Sequence, residues 1–307
     1  MRLALGCWSF GGNLWDQDYK DSIKTIHWAI RNNIRHFDSA QNYGKGISEQ
    51  IVSQQLRRFS NQINRKEFTI ATKILLPPSA SQIPSLVNKS LKRMNTSSID
   101  LLYIHWPSSK KEINPYLVEL DKLKKENVIG SIGVSNFPLK LLKEATEVTK
   151  IDYSQFHHSL LYSRPYFKQK EFCIDNNIKM VSYSPLAVGL LGGKYKKVED
   201  LKENDWRKML FPFESRYNTS FNELLDLVDE IATKNGVDNA TIALSWVLRH
   251  QIDIVLSGSR TKEQLEKTIN SYNFVLNDDD FKSLNSASAS FNALLDEDVD
   301  NFFFHKW

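Results

Sequence analysis

Short apolar runs alternate with segments of helical period along nearly the whole chain, and this rhythm limits the fold more than any other feature. Leu3–Leu5 reads as a strand. Tyr19–Arg31 follows as a helix with Ile23, Ile26, His27 and Ile30 on one face. Further strands are expected at Ile34–Asp38, Phe68–Lys73, Asp100–His105, Val128–Val134, Tyr153–Phe156, Lys179–Tyr183 and Ile254–Leu256. The helices between them are expected at Ser48–Arg58 (with Ser48 as N-cap), Ser81–Met94, Pro115–Glu126, Leu139–Val148 and Tyr166–Asn176. One more, Thr261–Ser271, follows the last strand. Strands that alternate with helices pair in parallel through right-handed crossovers. Eight such units in 307 residues predict an α/β fold, a closed (β/α)8 barrel forming a single domain over residues 1–307. An open doubly wound sheet is the competitor. It carries a Gly-rich turn after its first strand, and Gly6, Gly11 and Gly12 do not form GxGxxG.

Two regions break the rhythm. Leu186 to Ser220 holds Gly189, Gly192, Gly193, Pro212 and several lysines, and reads as a long loop on the functional rim. Two helices, Phe221–Asn235 and Asn239–Arg249, then precede the last strand. Beyond Ser283 the tail is polar until Phe302-Phe303-Phe304, aromatics that either pack back on the body or form a loosely held end.

A hydrophobic share of 41% with 25% charged residues fits a full globular core. The net charge of +4 is small and scattered, which argues against nucleic acid as a partner. No run approaches the ~18 apolar residues of a membrane span, so no membrane association is expected. The N-terminal stretch from Met1 to Cys7 reads as a first core strand rather than a signal peptide. Cys7 and Cys173 have neither a CxxC partner nor metal-site neighbours, and read as buried free thiols in a reducing cytosol. The expectation is a cytoplasmic monomer or weak homo-oligomer without a metal.

In a barrel of this kind the chemistry sits at the C-terminal ends of the strands. Asp38, Lys73 and His105 each end an apolar run there, and Tyr43 lies in the loop after Asp38. A free tyrosine, with a pKa of ~10, is a weak acid at neutral pH. A neighbouring ammonium lowers that value, and Lys73, kept charged and oriented by Asp38, is the expected source. His105 is suited to bond a carbonyl oxygen. The set makes a proton donor aimed at an oxygen that gains negative charge when hydride reaches carbon. Singly, each residue has an ordinary reading as a cap, a solvated lysine, a core histidine or a surface aromatic. Together on one rim they point to catalysis on a small-molecule carbonyl substrate.

The chain resembles the aldo-keto reductase superfamily. The motifs are Phe37-Asp38-Ser39-Ala40-Gln41-Asn42-Tyr43-Gly44, Ile70-Ala71-Thr72-Lys73, Ile99 to Pro107, Gly133-Val134-Ser135-Asn136-Phe137 and Tyr183-Ser184-Pro185-Leu186, all in the family's order. The resemblance implies a TIM barrel that binds NADPH in extended form, and a tetrad of Asp38, Tyr43, Lys73 and His105. It implies Ser135, Asn136 and Gln155 on the carboxamide and Tyr183 stacked on the nicotinamide. Ser184, Leu186 and Gly189 open the loop beside the pyrophosphate, with Lys194 a phosphate contact or a solvated lysine. Gly258, Ser259 and Arg260 begin the last loop, where Arg260 matches a 2′-phosphate, and Gln264 matches an adenosine contact. Lys267-Thr268 stands where many relatives carry Glu-Asn, and the added positive charge favours NADPH over NADH. Asp38 belongs with the cofactor positions as well as the tetrad. Trp15, Trp106 and Phe156, joined by His157 and Tyr162, are the expected aromatic walls beside Tyr43 and His105.

Two other functions fit parts of this pattern. One is an NADPH-binding, redox-sensing regulatory subunit of the same fold, resembling the channel-associated branch of the superfamily. The other is a barrel isomerase or aldolase with Lys73 as a Schiff-base amine.

Overall fold

The structure, a computed structural model, describes residues 2–12, 17–295 and 303. Among the described residues, eight parallel strands form a closed barrel in chain order. They are β1 (Leu3–Gly6), β2 (His36–Asp38), β3 (Thr69–Ile74), β4 (Ile99–Ile104), β5 (Ile129–Ser135), β6 (Tyr153–His157), β7 (Lys179–Tyr183) and β8 (Ile254–Ser257). The ring closes where Leu3, Ala4 and Leu5 of β1 stand beside Val255, Leu256 and Ser257 of β8. Helices α1 (Tyr19–Arg31), α2 (Ile47–Arg58), α3 (Ile83–Met94), α4 (Asn114–Lys125), α5 (Leu139–Val148) and α6 (Arg164–Asp175) follow the first six strands. After β7 come α7 (Ser215–Asn235) and α8 (Asn239–Leu248), and after β8 come α9 (Lys262–Tyr272) and α10 (Asp278–Leu294). This is the (β/α)8 barrel that the alternation predicts.

Strand alternation divides the core in two. Ala71, Leu101 and Tyr103 form one small interior cluster, and Ala4, Val181 and Leu256 form another. The large cluster lies between barrel and helices. With a period of two, the interior face running through Ala71 and Tyr103 continues to Lys73 and to His105 just past β4. The same parity carries Gly133 to Ser135 and Val181 to Tyr183. Residues that close the apolar plug are therefore followed, two positions on, by the polar groups above it.

Local expectations are corrected at three places. Ser48 does not cap α2; Gly46 does, in a left-handed conformation, while the Ser48 hydroxyl donates to the Cys7 carbonyl at 2.9 Å. The stretch after β7 is not one long loop. It contains four short 3-10 turns, and α7 begins at Ser215. As far as Leu294, the polar stretch after Ser283 belongs to α10, capped by Asn277. Its buried face combines Leu284 and Phe291 with Ser288 and Asn292, so an apolar periodicity is missing. The two polar side chains bond the barrel wall instead: Ser288 donates to the Leu160 carbonyl at 2.8 Å, and Asn292 accepts from the Ser163 amide at 2.9 Å.

Cys7 and Cys173 are buried and unbridged. No helix among the described residues is long and apolar enough to cross a membrane.

Outside the barrel, His158 lies between the rings of Trp246 (4.9 Å) and Tyr166 (4.6 Å), with His250 edge-on at 4.8 Å. Neither nitrogen of His158 has a hydrogen-bond partner. Burial, then the neighbouring His250 and His157, holds its pKa well below the ordinary value. Burial likewise lowers His250 to about 4 and His157 to about 3. Folded-state values below the unfolded ~6.5 mean that the unfolded chain binds more protons in acid. Stability is thus complete above pH ~6.5 and falls as pH drops toward the folded values. His158→Phe keeps the ring stacking and removes one such group. Its melting temperature should fall less between pH 7 and pH 5 than that of the wild type; equal declines would show that His158 does not set the acid limit.

Candidate active site

Asp38 and His105 reach the cavity from the ends of β2 and β4, and Tyr43 from the turn that follows β2, while Lys73, on β3, lies buried just behind them. Tyr43 is set by a tight turn, its amide bonding the Ala40 carbonyl at 3.1 Å. Gly44 comes next at φ 56°, and a Cβ there would stand 2.9 Å from the Gly11 Cα, so only glycine fits this close approach. The Lys73 ammonium is buried. It donates to Asp38 Oδ1, to the Ser39 carbonyl at 2.9 Å and to Tyr43 Oη at 3.5 Å. The second Asp38 oxygen accepts from Gln155 Nε2 at 2.9 Å. The Tyr43 and His105 rings meet edge-on at 5.6 Å. All four sequence-selected residues therefore converge.

The electrostatics differ from the sequence expectation in one respect. Burial pushes the Tyr43 phenol well above its usual range, and the charge of Asp38 and the Cys7 thiol add to the shift. The expected lowering by Lys73 does not govern here, because the ammonium is already paired with a carboxylate. His105 is held well below its ordinary value by burial and by the Lys73 charge. At neutral pH the site presents a protonated phenol and a neutral imidazole.

The neighbouring strand ends join the same network. Asn136, in a left-handed conformation at φ 63°, donates to the His105 carbonyl at 3.2 Å and to Ser135 Oγ at 3.0 Å. Its Oδ1 accepts from Tyr183 Oη at 2.6 Å. Ser135, Asn136, Gln155 and Tyr183 all line one cavity with the tetrad residues Asp38, Tyr43 and His105. The cavity, of about 1050 Å³, continues past Ser184, Leu186, Gly189 and Lys194 to Gly258, Ser259, Arg260, Gln264, Lys267 and Thr268. That volume is at the upper end of the ~300–1,000 Å³ of small-molecule sites. Amide and hydroxyl groups at one end and cationic side chains at the other fit an elongated dinucleotide.

The aromatic wall is only partly as expected. Trp106 lines the cavity and stacks on His105 at 5.9 Å. Phe156 does not line it. Gln155 points inward, so Phe156 has the opposite parity and packs in the outer core against Tyr166. His157 and Tyr162 lie behind the wall, His157 bonding the Tyr162 carbonyl and meeting the Tyr183 ring at 5.5 Å. Trp15 lies outside the described residues.

The lining residues that sequence reasoning missed include Trp8, Arg207 and Phe303. Trp8 follows β1 as closely as His105 follows β4, so the strand-end rule had the signal. Trp206 meets Trp8 at 5.8 Å, from a turn with no periodic pattern. Arg207 pairs with Asp205 at 2.6 Å and donates to the Val188 carbonyl at 3.1 Å, holding the stretch after β7 in place. Phe303 lies parallel to Tyr183 at 6.1 Å and edge-on to Trp8 at 5.7 Å, so this tail aromatic does pack back on the body.

Comparison with known proteins identifies the family. The sequence model of the "Aldo/keto reductase family" matches residues 2–289. The chain is 29% identical over 268 residues to "Aldo-keto reductase yakc [NADP(+)]" of Schizosaccharomyces pombe, covering 82% of this chain and 77% of that protein. It is 28% identical over 306 residues to the "NADH-specific methylglyoxal reductase" of Escherichia coli, covering 91% and 92%. Among solved structures, the glycerol dehydrogenase of Gluconobacter oxydans superimposes with a TM-score of 0.84 at 27% identity, over 96% of this chain and 94% of that one. The chain belongs to the aldo/keto reductase family and is an NAD(P)H-dependent oxidoreductase acting on carbonyl or alcohol groups.

Proposed function

We propose that this enzyme, working as one barrel domain, reduces an aldehyde or ketone to its alcohol with NADPH and takes the proton from Tyr43, the reaction being reversible. The observation that carries this reading is the convergence of Tyr43, Lys73, Asp38 and His105 at one end of the cavity. When bound, the nicotinamide supplies the hydride. The chain's own groups manage the oxygen. Burial keeps the Tyr43 phenol protonated at neutral pH, so the proton is present to be given. A neutral His105 offers one ring N–H to the same carbonyl oxygen, a donor whose bond strengthens as negative charge develops. Lys73, 3.5 Å from the phenol oxygen, stabilises the phenolate left after transfer. Asp38 holds Lys73 in that position. The same pairing counts against Lys73 as a Schiff-base amine, since its donors are engaged with Asp38 and the Ser39 carbonyl.

Ser135, Asn136 and Gln155 hold the carboxamide, and Tyr183 offers its ring as a platform. Ser184, Leu186 and Gly189 run beside the pyrophosphate, with Gly258, Ser259 and Gln264 at the adenosine end. The relatives include proteins named for NADP(+) and for NADH, so the preference for NADPH rests on Arg260, with Lys267 adding charge. Trp8, Trp106 and Phe303 surround the position of the carbonyl compound, and suit an apolar one. Two unbridged thiols suit the reducing cytoplasm, which is where we place the enzyme.

Two measurements test this. With a panel of aldehydes, Tyr43→Phe should lower the rate of NADPH oxidation by about 10²–10⁴, the usual share of an acid catalyst. Rates equal to wild type would remove Tyr43 as the donor. Arg260→Ala should weaken NADPH binding by roughly 10- to 100-fold, the loss of charge-assisted hydrogen bonds, and leave NADH binding nearly unchanged. A parallel loss for both cofactors would refute the 2′-phosphate assignment.

A further inference from the structure

Lys73 and Tyr43 belong to different elements, one on β3 and one on the turn before α2, and something must set their separation. Glu49, on the first turn of α2, is fully buried and outside the cavity lining. Its Oε1 accepts from Thr72 Oγ1 at 2.7 Å and from Ser90 Oγ at 2.7 Å. Its Oε2 accepts from Arg93 Nε of α3 at 2.6 Å. Thr72 is the residue before Lys73. Ser90 also accepts from Gln41 Nε2 at 2.8 Å, and the Gln41 amide donates to the Lys73 carbonyl at 3.0 Å. One carboxylate thus ties α2, β3 and α3 together, and reaches through Ser90 to the turn that carries Tyr43.

Arg93 braces that turn a second time. Gly46 adopts φ 93°, and a Cβ there would stand 2.6 Å from the Arg93 side chain, so the guanidinium arm lies directly against the backbone three residues after Tyr43. The turn is therefore held between Arg93 on one side and Gly11 on the other. An apolar residue in place of Glu49 would keep helix and strand in contact. It would not fix their rotation and spacing, as three directional, charge-assisted bonds do.

We propose that Glu49 and Arg93 are positioning residues for the proton donor, their ion pair setting the distance between Tyr43 Oη and Lys73 Nζ. The proposal rests on the reading of Tyr43 as the donor. Glu49→Gln keeps the size of the side chain but turns an amide toward the Arg93 donor. Arg93→Met removes the brace at a less buried position, and Arg93→Lys keeps the charge. In enzyme shown by circular dichroism to be folded at the assay temperature, Glu49→Gln and Arg93→Met should lower kcat about 10- to 100-fold, the scale of an ångström-sized misplacement. NADPH Kd and carbonyl KM should stay within about twofold, since the loss falls on the transition state. The pH profile of alcohol oxidation should move its Tyr43 limb to higher pH, because the phenolate loses its ammonium neighbour. Arg93→Lys should recover part of both effects.

A purely structural pair would lower the melting temperature and leave kcat and the pH limb of folded enzyme unchanged, and that result overturns the proposal. Should Glu49→Gln fail to fold, the two Arg93 variants give the same readout. Tyr43→Phe measured alongside separates the failures. Activity retained in Tyr43→Phe overturns the donor and its positioning together. Activity lost in Tyr43→Phe, with wild-type behaviour in the Glu49 and Arg93 variants, overturns the positioning alone.

Discussion

A lysine ammonium and an aspartate carboxylate sit on top of an apolar plug, with 1% and 3% of their side chains exposed. Shedding water costs each ion several kcal/mol, and the fold must return most of that through pairing. It does so through Lys73 to Asp38, the Ser39 carbonyl and Tyr43 Oη, and through Gln155 to Asp38. Removing one partner would strand a buried charge at a cost of about 3–5 kcal/mol. The pair therefore demands that β2, β3 and β6 keep fixed relative heights. The plug of Ala71, Leu101 and Tyr103 beneath it, and the closure of β1 on β8, meet that demand.

The same pair governs the acid–base state of its neighbours. An isolated ammonium beside a phenol would favour the phenolate. An ammonium neutralised by a carboxylate exerts a weaker, dipolar field, and burial then decides the outcome for Tyr43. His105 responds in the opposite direction because its charged form is the cation. Burial and Lys73 both oppose it. One buried pair thus leaves a phenol with its proton and an imidazole without a second one, a combination suited to meeting a carbonyl oxygen.

Much of this was legible in the sequence because it depends on parity. Once the apolar runs are placed, Lys73, His105, Ser135 and Tyr183 are each two positions beyond an interior residue, and an inward direction follows. Phe156 shows the same rule ignored: its neighbour Gln155 is inward, so Phe156 cannot be. Other features leave no such trace. Glu49 looks like any polar helix residue, and only the tertiary fold reveals that Thr72, Ser90 and Arg93 surround it. Trp206 and Arg207 sit in a stretch without periodicity, and α10 buries serine and asparagine where a pattern search expects leucine.

The polar docking of α10 has a further consequence. A greasy helix can slide along a wall at small cost, whereas Ser288, Asn292 and the Arg164 contact to the Asn292 carbonyl at 2.8 Å admit one register. The last helix is thereby anchored like a hinge plate beside β6 and α6. Phe303 then lies parallel to the Tyr183 ring at 6.1 Å, so the shape of the cavity mouth is written partly on the outer wall, in hydrogen bonds outside the cavity lining.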